Sequence, residues 1–208
     1  IREKNTHIKK EEYLSANPDK RIGWNEEECQ YQREKAGLNF DINMRFFESL
    51  DFNEFSDYIE NQFRKFKLKK CIDLRELDSV SGLYVIVLDK YKQVYIGVSS
   101  NMKKRIIQHW NRKKTLERLI FGDICNSKLS IDSFKALDTT RVFYGEFMKP
   151  EILEEKIVKG FDSRYILNRI GGGIGFTVTD SIFEEILSSR IKKNLIDYVD
   201  VKELNVDA

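Results

Sequence analysis

This chain of 208 residues is poor in the residues that break or staple a chain. It has two prolines, Pro18 and Pro150, and no Ser/Gly/Pro-rich stretch that would mark a flexible linker. Its three cysteines, Cys29, Cys71 and Cys125, are odd in number and far apart. That spacing excludes a zinc knuckle or a redox pair and points to a reducing compartment. No apolar run approaches the roughly 20 residues that a membrane-spanning helix needs. The start, Ile1-Arg2-Glu3-Lys4-Asn5, has neither an initiator Met nor a signal-peptide profile and reads as trimmed. The expected location is therefore the cytoplasm, with no membrane partner.

What the chain has in quantity is charge. The 36 basic and 34 acidic side chains nearly cancel to +2, so their distribution matters more than their sum. Up to about Asp78 the sequence is highly charged. Phe46, Phe47, Leu50, Phe55, Tyr58, Ile59, Phe63 and Phe66 recur there at i+3 and i+4 steps. This is the period of two or three amphipathic helices. The basic run Arg64-Lys65-Phe66-Lys67-Leu68-Lys69-Lys70 closes the region as a solvated helix end, with contact to a DNA backbone as the sharper alternative.

The pattern changes at Ser81-Gly82. Leu83-Tyr84-Val85-Ile86-Val87-Leu88 and Val94-Tyr95-Ile96-Gly97-Val98 flank the polar turn Asp89-Lys90-Tyr91-Lys92, which predicts an antiparallel hairpin. Ser99-Ser100-Asn101 offers helix-capping side chains, and a basic helix is expected from Lys103 to Arg112. Thr140 to Gly145 reads as a third strand, and Pro150 opens a helix over Glu151 to Lys159. Gly171-Gly172-Gly173 lacks the Lys-Ser/Thr of a phosphate loop and reads as a turn. Asp180 caps a last amphipathic helix with Ile182, Phe183, Ile186, Leu187, Ile191, Leu195 and Ile196. The expected fold class is α+β, a small antiparallel sheet flanked by helices, with a helical N-terminal region and a C-terminal amphipathic helix. The change of pattern divides the chain into residues 1–78, a helical region expected to position DNA or a partner, and residues 79–208.

One ordered set of residues carries chemistry. Gly82-Leu83-Tyr84 is followed at hairpin distance by Tyr95-Ile96-Gly97, then by Arg105 and His109, and later by a glutamate-bearing helix and Asn168. The set resembles the catalytic core of the GIY-YIG nuclease family, and the phosphodiester cleavage which that implies requires an activated water and stabilisation of charge on the phosphoryl oxygens. Arg105 and His109 are i and i+4, so they share a helix face and can converge on one phosphate. An arginine fork grips phosphate oxygens with two parallel hydrogen bonds. Tyrosine, with a reference pKa of about 10, needs a nearby cation to serve as a base. Tyr84 and Tyr95 are equivalent on this reading. Lys103, Lys104, Arg112 and Lys113 crowd the same helix, where a nucleic-acid backbone would lie.

The resemblance covers about residues 81–173. The resemblance implies a metal-dependent endonuclease acting on double-stranded DNA, of restriction-like, phage-defence or mobile-element type, with Mg2+ or Mn2+ as cofactor. It implies catalytic roles for Tyr84, Tyr95, Arg105, His109, Glu154 and Asn168, with Glu154 as metal ligand. Glu151, Glu154 and Glu155 are all candidates by composition. The family places its glutamate a helical turn before an Ile/Val pair and a lysine, as Glu154 stands before Ile157-Val158-Lys159. Helix geometry agrees, since Glu154 shares a side with Val158 whereas Glu155 lies in a row with Glu151 and Lys159. Asn168 would hold the site in shape. The rival reading is a non-catalytic DNA-binding or protein-interaction module that keeps the fold. A homo-oligomer is compatible with either.

Overall fold

The computed structural model describes residues 8–16 and 23–168. The expected glycine turn at Gly171-Gly172-Gly173 and the helix capped by Asp180 lie outside the described residues. Within them the fold is α+β. Three helices come first: α1 (Lys10–Ser15), α2 (Glu26–Ser49) and α3 (Phe52–Lys65). The short strand β1 (Lys69–Lys70) follows, then β2 (Gly82–Leu88) and β3 (Gln93–Ser99). Next come α4 (Met102–Asn111), β4 (Arg141–Gly145) and α5 (Pro150–Gly160). The four strands form one antiparallel sheet in the order β1-β4-β2-β3.

The central strand explains the arrangement. Every residue of β2 is buried, which an apolar run such as Leu83 to Leu88 permits only when both sheet faces are covered. Side chains alternate across the sheet. Tyr84 and Ile86 lie on one face with Tyr95, Gly97 and Tyr144, and Val85 lies on the other with Ile96 and Phe143. α3 covers the second face, where the Phe63 ring meets that of Phe143 at 4.4 Å between centroids. α4 covers the first.

The N-terminal aromatics are core. Phe46, Phe47, Leu50, Phe55, Ile59 and Phe63 are buried, and Tyr58 and Phe66 are partly so. α2 begins with a reciprocal capping box between Asn25 and Glu28, and α3 begins on Asp51, whose carboxylate accepts from the Glu54 N–H. The basic run starts in the last turn of α3, and its basic side chains stay exposed, as expected of a solvated helix end. Its last two lysines pair with Tyr144 and Phe143 as the edge strand β1, so residues before Asp78 contribute directly to the sheet.

Two further features position the site. The turn between β2 and β3 is polar in sequence, yet Tyr91 within it is buried between Phe47 and Phe134. Its hydroxyl donates to Asp138 at 2.9 Å. The free edge of β3 is covered by residues 165–168: the Val94 N–H donates to the Tyr165 carbonyl at 2.7 Å and the Leu167 N–H to the Val94 carbonyl at 2.8 Å. This removes an exposed row of backbone groups from the sheet edge.

Phe63 is the contact through which α3 holds the sheet. Phe63→Ala leaves a cavity against Phe143 and is expected to cost about 3–5 kcal/mol of stability. Urea denaturation measures it, and a loss under 1 kcal/mol would show that α3 adds little to the sheet.

Candidate active site

Tyr84 stands in the middle of the face that α4 covers and is 1% exposed. The β2–β3 register sets it opposite Gly97. A Cβ at Gly97 would lie 2.5 Å from the Tyr84 hydroxyl and 2.7 Å from its Cζ. The tyrosine ring therefore occupies the space that any side chain at 97 would fill. Tyr95 pairs with Ile86 rather than with Tyr84, so the two tyrosines are diagonal neighbours on one face, their rings 6.3 Å apart. Tyr95 is only partly buried.

α4 begins on Asn101, whose side chain accepts from the Lys104 N–H. Its buried stripe of Met102, Ile106 and His109 packs inward. Arg105 rises one turn before His109, beside the stripe and partly exposed. His109 Nε2 lies 2.9 Å from the Tyr84 hydroxyl, and its ring meets Tyr95 edge-on at 5.0 Å. On the other side, His109 Nδ1 lies 2.6 Å from Asp132 Oδ1. Asp132 sits on a single tight turn, Ile131–Ser133. The sequence reading missed it. No periodicity or motif marks it, and it reaches His109 only because the chain between α4 and β4 folds back over α4.

α5 sorts the three candidate glutamates. Glu151 is exposed, and Glu155 faces outward to Lys159 at 2.6 Å. Glu154 lies on the buried side with Ile157 and is 5% exposed. Its charge is felt at both phenols. Burial holds the Tyr84 phenol well above its ordinary range, with Arg105 pulling it back and Tyr95 and Glu154 adding to the rise. Burial likewise pushes Tyr95 up to about 12, again opposed by Arg105. Both phenols thus keep their protons at neutral pH, and the cation that favours their ionised forms is Arg105.

Asn168 takes a supporting place. Its amide donates to the Ile96 carbonyl at 2.7 Å and accepts from the Ile96 N–H at 2.9 Å, which ties the chain after α5 to the middle of β3. The basic residues divide. Lys104, Arg112 and Lys113 are exposed. Lys103 pairs with Asp78 at 2.7 Å, and Lys114 turns inward to 3.3 Å from Asp132 Oδ2. No group of three or more His, Cys, Asp or Glu side chains able to hold a metal occurs among the described residues. Magnesium does not require such a group, since one carboxylate with waters and substrate phosphate completes its shell. Glu154, a buried oxygen donor beside two phenols, fits that single-ligand role.

Gly97→Ala forces a methyl group into the Tyr84 hydroxyl, which is buried and already bonded to His109. The expected cost is about 1–3 kcal/mol, with an altered tyrosine near-ultraviolet signal. Gly160→Ala, where a Cβ meets nothing within 4 Å, serves as the neutral control. Equal stability of the two variants would show that the Tyr84 ring moves freely.

Comparison of the chain with protein-family models, with curated proteins and with solved structures found no match.

Proposed function

We propose that this chain is a metal-dependent endonuclease of the GIY-YIG type, hydrolysing phosphodiester bonds in double-stranded DNA. The observation that carries the reading is the convergence of Tyr84, Tyr95, Arg105, His109 and Glu154. They come from two strands and two helices, and they meet around the Tyr84 ring, which fills the space above Gly97. A structural core has little use for a buried carboxylate, a buried phenol beside a half-buried one, and an imidazole at one spot.

The two tyrosines divide the work. Tyr95 is nearer the surface and meets the attacking water, whereas Tyr84 lies behind it in contact with His109 Nε2. The proton leaving the water enters the tyrosine pair, and the Tyr84 proton passes to His109. The hydroxide left behind attacks phosphorus as the bond to the leaving oxygen breaks, and that oxygen takes a proton from solvent. A high phenol pKa suits such a relay, because neither tyrosine needs to ionise before substrate arrives. Arg105 places its planar fork on the phosphoryl oxygens, where negative charge grows. A Mg2+ or Mn2+ ion held by Glu154 supplies further charge at the phosphate when bound. Lys104, Arg112 and Lys113 supply sequence-independent attraction for the DNA backbone.

The test is cleavage of supercoiled plasmid with and without Mg2+ or Mn2+. Glu154→Gln should abolish cleavage and leave DNA binding largely intact, whereas Glu155→Gln should cut normally. A wild-type chain that does not cut with either metal overturns the reading, as does a Glu154→Gln variant that cuts at the wild-type rate.

Arg105→Lys conserves charge but loses the fork. Single-turnover cleavage should fall by roughly two to three orders of magnitude. Equilibrium DNA binding at fixed salt should change far less, because the exposed lysines and Arg112 remain. A near-normal rate would reduce Arg105 to one more basic residue on that face.

A further inference from the structure

Between α4 and β4 the chain carries a carboxylate that neither the hairpin nor the helices require. Asp132 and His109 side chains are each 4% exposed, and the Nδ1–Oδ1 distance is 2.6 Å. An ionised carboxylate only accepts hydrogen bonds, so this contact requires the hydrogen on Nδ1. The other ring nitrogen, Nε2, is the one that faces Tyr84. In a neutral ring with its hydrogen on Nδ1, Nε2 holds a lone pair and accepts the Tyr84 O–H. Without Asp132 the ring is free to carry its hydrogen on Nε2, where it blocks transfer from the tyrosine. We propose that Asp132 is a positioning residue for this site: it locks His109 in the Nδ1–H tautomer and so makes Nε2 the proton acceptor for Tyr84.

The surroundings of Asp132 hold both its place and its charge. Burial opposes ionisation, yet the His109 hydrogen bond and the Lys114 charge keep its carboxyl below the usual carboxylate range. Lys114 lies 3.3 Å from Oδ2 and also donates to Ser130 Oγ at 2.8 Å. Ser130 Oγ in turn accepts from the Asp132 N–H at 3.3 Å, and Lys135 donates to the Asp132 carbonyl at 3.0 Å. Arg112 approaches Oδ2 at 3.8 Å from the surface side. From further away, α2 straps the preceding loop. Asn39 and Asn43 are buried and donate to the Ser127 carbonyl at 2.9 and 2.8 Å, and Asn39 also donates to the Ile124 carbonyl. The N-terminal helices thus support the turn that carries Asp132. Tyr84 and Tyr95 from the sheet face the ring, and Arg105 from α4 and Glu154 from α5 act electrostatically on those two phenols. A carboxylate that orients a histidine through the nitrogen remote from the reacting atom is a recurrent way to set tautomer and direction.

The inference rests on the nuclease reading for its purpose but not for its test. The chain has two histidines, so His7→Gln leaves His109 as the single imidazole. In that background, 15N spectra of the ring at the alkaline end of its titration report which nitrogen carries the proton. The expected result is protonated Nδ1 in the Asp132 protein and protonated Nε2 in Asp132→Asn, whose amide donates where the carboxylate accepted. A proton on Nε2 in the Asp132 protein, or the same tautomer in both, overturns the proposal. The first spectrum decides even if Asp132→Asn does not fold. Single-turnover plasmid cleavage by a folded Asp132→Asn should fall by roughly 10²-fold or more with DNA affinity within about twofold. Normal cleavage by a variant with a switched tautomer also overturns it. A wild-type chain that does not cut DNA removes the nuclease reading and leaves the tautomer result standing.

Discussion

The register between β2 and β3 is the constraint on which the site depends. Tyr84 lies opposite Gly97 and its ring fills the space above that glycine. A slip of one residue would move every β3 side chain to the other face of the sheet. Tyr95 would then leave the His109 side, and Ile96 would put a branched side chain where Tyr84 must lie. The register is held twice. The tight turn at Asp89–Tyr91, closed by Lys92 in the left-handed conformation, fixes it from within the hairpin, and Asn168 fixes it from outside by gripping both backbone groups of Ile96. A residue outside the cluster of Tyr84, Tyr95 and His109 can thus be needed for its geometry.

Around this hairpin the helices act as carriers of charge into an apolar place. α4 and α5 each present one buried polar residue, His109 and Glu154, in an otherwise apolar stripe. A buried polar group is costly unless it is bonded. His109 is bonded to Tyr84 on one ring nitrogen and to Asp132 on the other. The chain from Asp132 through His109 to Tyr84 joins a tight turn, a helix and a strand, and it stiffens all three. Burial also raises both phenols, so Arg105 is the only neighbour among the causes of their shifts that favours ionisation of each. The site therefore combines proton-holding phenols with a single adjacent cation, a combination suited to a proton relay.

Local pattern was enough to read much of this from the sequence. The hairpin, the basic helix expected over Lys103 to Arg112 and found at Met102–Asn111, the strand from Arg141 and the helix opened by Pro150 all depend on periodicity and caps within a few residues. The separation of Glu154 from Glu155 was legible too, because residues one apart on a helix point about 100° apart. The same holds for the aromatic stripe of α2 and α3, whose spacing already described a buried face.

What the sequence did not carry were contacts between distant segments. Asp132 is 23 positions from His109, Asn168 is 72 from Ile96, and Asn39 is 88 from Ser127. Side-chain hydrogen bonds over such distances leave no period and no composition signal. The same is true of Tyr91, polar by its turn and buried by its neighbours, and of Lys69 and Lys70, whose side chains stay solvated while their backbone pairs with β4. The sequence by itself determined which elements form and which side each presents, because hydrophobic spacing and capping act locally. Only the tertiary structure decided which tyrosine meets the histidine and which carboxylate stands behind it, because those choices are made where separate segments close on one another.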